Sequence, residues 1–111
     1  GESDTTAPQP APVVEPTDLA VVTADLLGAR TACSGDSECL ADVLESTGTP
    51  FTPGVVDLPA DQRTVTLLDE FGGAAVLRAE ASAAGAPPQL IVIVRTERGW
   101  LLRDVHDVPE Q

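Results

Sequence analysis

The chain has 111 residues and a formal net charge of −12, with no lysine and arginine at all six basic positions. A protein with so few cations cannot displace phosphate counterions, which excludes a nucleic-acid binder and disfavours an anionic membrane surface. One Trp, two Phe and no Tyr leave no platform for stacking bases or sugars.

The length suits a single domain with one modest core. The acids are scattered and build no calcium loop, so solubility accounts for them, and no metal or cofactor is expected. The absence of Lys and Asn beside abundant Ala, Val, Asp, Gly and Pro suggests a GC-rich bacterial genome.

Residues 1–16 carry four prolines and cannot bury a core. They read as an extended Pro/Ala/Thr-rich tail or linker, a spacer between an anchor and a folded domain. The domain is expected over residues 17–108, with 109–111 as a second tail. No run approaches the ~18 apolar residues of a membrane span, so no insertion by this segment is expected. No signal peptide is visible.

Thr17 is placed to cap a helix over Thr17–Thr31, in which Leu19, Val22, Leu26 and Leu27 form one apolar stripe. Asp36 or Ser37 opens a second helix with Leu40, Val43 and Leu44 inside and Gly48 as its stop. Cys33 and Cys39 lie between the helices. Two thiols are too few for zinc and do not have the C-x-x-C redox spacing, so a local disulfide is expected. Closing so short a loop stabilises by roughly 2.4 kcal/mol in the chain-entropy model. A disulfide implies an oxidising compartment, hence an extracytoplasmic location, cell envelope or secreted, with the export signal or anchor upstream of Gly1.

Thr47–Gln62 is a Pro- and Gly-rich loop in which Phe51, Val55 and Val56 close one end of the core. Strands follow at Arg63–Asp69 and Ala74–Ala83, the second with a small face of Ala75, Leu77, Ala79, Ala81 and Ala83 that suits a closely packed helix. The last two strands form a hairpin over Gln89–Asp107. Short connections throughout imply an antiparallel meander. The fold class is therefore α+β: two N-terminal helices packed on a four-stranded antiparallel sheet.

The hairpin turn Thr96-Glu97-Arg98-Gly99 predicts a three-residue loop with Gly99 as a bulge. That register puts Leu90, Val92, Val94, Trp100, Leu102, Asp104 and His106 on one face, taken as the core side because it holds no arginine. Ile91, Ile93, Arg95, Leu101, Arg103, Val105 and Asp107 take the other. Asp104 and His106, two residues apart on one strand face, are the candidate catalytic pair. Arg78, Arg95 and Arg103 would form a small cationic patch neutralised by Glu80 and Asp107.

This arrangement, and the closing segment IVIVRTERGWLLRDVHDV with its Gly-Trp turn, resembles the cystatin-like superfamily of α+β rolls and its nuclear-transport-factor-2-like domains. The resemblance implies helices packed in the concavity of a curved sheet. It also implies one of two functions: an isomerase- or dehydratase-like pocket using Asp and His, or a tethered, non-catalytic extracytoplasmic domain of a bacterial envelope protein or lipoprotein. The tail and the cysteines suit the second. Three readings follow: a module that binds a protein or small ligand; a small acid/base enzyme using Asp104 and His106 under Leu26 and Leu27, with Trp100 as a ligand-binding wall; and a structural homodimer pairing through the sheet face around Ile91, Ile93 and Leu101.

Overall fold

The computed structural model describes residues 17–109; both expected tails fall wholly or mainly outside this range. The elements are α1 (Leu19–Cys33), α2 (Ser37–Leu40), two single 3-10 turns (Val55–Asp57 and Ala60–Gln62), and four strands: β1 (Arg63–Glu70), β2 (Ala74–Ala81), β3 (Gln89–Thr96) and β4 (Gly99–Asp107). The strands pair antiparallel in the order β1-β2-β3-β4. The fold is α+β, one main helix and one short helix on a four-stranded meander.

Asp18, not Thr17, caps α1. Its Oδ1 accepts from the backbone N–H groups of Ala20 at 3.0 Å and Val21 at 3.3 Å, satisfying two of the helix's free donors. Leu19, Thr23 and Leu27 are buried one turn apart, with Ala20, Val22 and Leu26 packed beside them. The inner stripe is thus centred on a threonine. The helix ends where Ser34 turns left-handed at φ 52 and Gly35 follows at φ 82. Directly beyond, the Cys33–Cys39 disulfide joins the last turn of α1 to α2, with the two Cα atoms 5.4 Å apart.

The second helix is shorter than its pattern predicts. It stops at Leu40, and Gly48 plays no part in ending it. Val43 and Leu44 are buried as expected, but Val43 closes the turn that follows α2 and Leu44 is bridged to Leu102 of β4. There Leu102 donates to the Val43 carbonyl, and Glu45 donates to the Leu102 carbonyl, both at 2.8 Å. The pull of the β4 edge, with unpaired backbone groups to satisfy, takes these residues out of the helix.

The hairpin corrects the expected faces. Leu90 opposes His106 and Val92 opposes Asp104, as the turn register predicts, but Ile93 opposes Leu102, Val94 opposes Leu101 and Arg95 opposes Trp100. The loop has two residues, Glu97 and Arg98, and the extra residue sits at Arg103 as a bulge. A bulge reverses the inside–outside alternation along β4. The face against α1 holds Gln89, Ile91 and Ile93 from β3, and Trp100, Leu102 and Val105 from β4. It continues through Ala75, Leu77 and Ala79 to Val65. Leu90, Val92, Val94, Leu101, Asp104 and His106 face away. Ile91 and Ile93 turn into the core and Leu101 is buried on the outward face, so none of these three side chains is exposed.

Candidate functional site

Asp104 and His106 lie together, with Oδ2 and Nδ1 3.3 Å apart, but on the outer sheet face. Their side chains are 48% and 45% exposed, so water surrounds the pair. Val92 and Leu90 stand opposite them on β3. Among the described residues, the pair adjoins neither the dry wall nor the second acid that proton transfer at a bound substrate calls for. Leu27 is completely buried, Leu26 packs on the core, and Trp100 lies partly exposed at the far end of the sheet. The structure does not bring these three together with Asp104 and His106. Trp100 instead borders a surface depression shared with Thr17, Leu19, Glu70, Gly72, Arg95 and Gly99.

The expected cationic patch is dispersed. Arg78 pairs with Glu80 at 3.0 Å, Arg103 with Glu45 at 3.2 Å, and Arg95 sits near Glu70 at the other end. Arg30 reaches Asp57 at 3.0 Å and lies over the Phe51 ring, tying the end of α1 to the loop. Among the described residues, His, Cys, Asp and Glu gather into no group of three or more that could hold a metal.

Two buried polar side chains hold the loop onto the sheet. Gln89 accepts from the Val56 N–H at 3.1 Å and donates to the carbonyls of Thr52 at 2.9 Å and Pro53 at 3.3 Å, and to Asp107 at 3.1 Å. Arg63 donates to the Val56 carbonyl at 2.9 Å and to the Leu58 carbonyl. Burial pushes its guanidinium below the usual arginine range, and the nearby Asp57 charge pulls it back. Both residues act structurally: they satisfy the carbonyls and N–H groups of a loop that has no ladder of its own.

What the sequence reading missed is the free edge of the sheet. The β4 edge is covered in its middle by Val43–Glu45. The β1 edge pairs with nothing among the described residues. The Ser82 N–H bonds the Gln62 carbonyl, which sets the alternation of the β1–β2 ladder. Thr64 and Thr66 then bond inward to β2, while the N–H and C=O groups of Val65 and Leu67 point outward. The exposed large apolar residues gather here: Leu67 and Leu68 on β1 at 40% and 52% exposed, Phe71 at its end at 62%, and Val21 on the flanking helix at 54%. Between helix and strand runs a depression of about 280 Å³ lined by Ala20, Val21, Ala24, Ala60, Thr64 and Val65, with Arg63 at its end. A trough of apolar side chains beside unpaired backbone groups can receive an extended peptide.

No family model, curated protein or solved structure matches this chain. The fold is compatible with a roll, an antiparallel sheet with a helix across one face. The disulfide is compatible with an extracytoplasmic domain, and no helix of the described residues is long and apolar enough to cross a membrane.

Proposed function

We propose that the chain is a non-catalytic, extracytoplasmic binding domain of a bacterial envelope protein or lipoprotein, of the cystatin-like roll type, tethered by its proline-rich leading segment. The Cys33–Cys39 disulfide carries the reading, because such bonds persist where thiols are not kept reduced. The filled interior supports the non-catalytic half of it. Leu27, Leu77, Ile91, Ile93 and Leu102 are all fully buried between α1 and the sheet, where an enzyme of the resembled type would keep its substrate cavity. The apolar trough beside β1 supports a binding role.

The test is thiol trapping in intact bacteria expressing the full-length gene. A maleimide label should reach Cys33 and Cys39 only after reduction, and a protease confined to the cell exterior or periplasm should reach the domain. Free thiols in protein trapped within the cytoplasm would remove the reading.

A further inference from the structure

The structure assigns the trough along β1 to an extended segment of another protein, apolar at alternate positions and carrying lysine or arginine, which adds as a fifth strand. This deepens the binding-domain reading and rests on it. The geometry supplies both halves of strand addition: outward backbone groups at Val65 and Leu67 for the ladder, and Val21, Ala24 and Leu67 as seats for alternate side chains. An edge left this apolar is a liability that folded proteins ordinarily blunt with an edge lysine or proline. This strand, RTVTLLDE, has neither, and its one arginine turns inward to the Val56 and Leu58 carbonyls. The Leu68 bulge bends the strand near its end but leaves Val65–Leu67 regular.

Charge selects the occupant. Asp25 stands one helical turn beyond Val21, Asp61 adjoins Ala60, and Asp69 follows the apolar pair; all three are exposed. Arg95 shares the Glu70 end. Asp25 and Asp61 flank the trough on the helix side and Asp69 stands on the outer face of the strand, opposite Val76, so the edge carries an acidic rim whose members enter no ion pair among the described residues. A second copy would bring the same rim and another net charge of −12 against it. Residues 1–16 contain Glu2, Asp4, Glu15 and four prolines but no cation, so the chain's own leader can neither neutralise the rim nor supply a full row of N–H donors. A basic, apolar strand does both.

The experiment titrates the full chain with a capped octapeptide of alternating valine and lysine, followed by backbone amide shifts. A second peptide carries glutamate in place of lysine. The lysine peptide should shift Thr64–Leu68 and Val21–Asp25, and its affinity should fall as salt screens the rim. Leu67→Pro deletes an outward N–H while sparing the β1–β2 ladder, and should weaken binding about tenfold. Because that variant also trims a half-buried side chain, the double variant Asp25→Lys/Asp69→Lys provides a surface-only check and should weaken binding several-fold with the fold unchanged. Equal binding of the glutamate peptide overturns the assignment. So does a concentration-dependent dimer with Val65–Leu67 at its interface, or protection of those two amides in the free chain by residues 1–16. Shifts confined to the outer face around Leu90 and Val92 overturn it too, yet leave the binding-domain reading standing. Free thiols in the cell remove that reading without altering the titration.

Discussion

Gly54 lies against the side-chain amide of Gln89, so closely that a Cβ built at Gly54 would stand 2.8 Å from Gln89 Cδ and Nε2. The amide cannot retreat easily, since its hydrogen bonds to Val56, Thr52, Pro53 and Asp107 hold it in the closed end of the core. Gly54→Ala is therefore expected to cost about 1–3 kcal/mol in denaturant unfolding, through overpacking and lost hydrogen bonds. The cost should be strongly non-additive with Gln89→Ala, which empties the contested space. Additive costs would mean that the two residues do not compete for that space.

Ile93 and Val92 are neighbours in sequence with opposite fates. Ile93 is fully buried against α1, while Val92 faces outward opposite Asp104. Ile93→Arg should abolish cooperative folding, because an unpaired buried charge costs several kcal/mol against a stability of roughly 5–15 kcal/mol. Val92→Arg should stay within about 1 kcal/mol of wild type, since the new guanidinium meets a carboxylate across the strands. Circular dichroism during thermal unfolding separates the two, and the reverse order would restore the face assignment that the turn alone predicts.

That pair of residues also shows where sequence reasoning runs out. Alternation found the strands to within one or two residues, the meander order, and the Phe51, Val55 and Val56 cover, because each depends on local pattern and short connections. The face of β4 depends on where one extra residue is absorbed. A Gly after a two-residue loop and a bulge at Arg103 fit the same string as a three-residue loop, and only the packing of Trp100 and Leu102 against the core decides between them. The site was hidden for a related reason. Leu67 and Leu68 look like core in a strand read alone; their exposure follows from β1 being last in the sheet and from the bulge at Leu68.

Asp104 and His106 are about half exposed and pair with each other. Exposed pairs of this kind contribute on the order of 0–1 kcal/mol. Asp104→Asn and His106→Gln are each expected to change unfolding free energy by less than about 1 kcal/mol, and to leave the peptide titration untouched. A loss well beyond that, or a loss of binding, would show that something else seats on the outer face.

The disulfide closes a loop at the junction of α1 and α2, with Cys33 buried and Cys39 exposed. Cys33→Ala/Cys39→Ala should lower stability by roughly 2 kcal/mol, mainly by freeing the unfolded chain. Hydrogen exchange should then quicken first in the last turn of α1 and in Ser37–Leu40, while the β2–β3 amides keep their protection until global unfolding. If the loss spread evenly over the sheet, the bond would be holding the whole core together and not one corner.

Thr23 is the polar residue at the centre of the inner stripe of α1, completely buried, with its hydroxyl lacking any partner among the described residues. A buried, unpartnered hydroxyl costs about 1–3 kcal/mol, and valine offers the same branched shape without it. Thr23→Val should therefore stabilise the domain by about 1 kcal/mol, raising the melting temperature by roughly 4–8 °C for a domain of this size. Calorimetry at matched concentration reads it. No gain would mean that the hydroxyl is satisfied in solution, the simplest source being a water between α1 and the sheet, and Thr23→Ser, which keeps the hydroxyl, would then be the better-tolerated change.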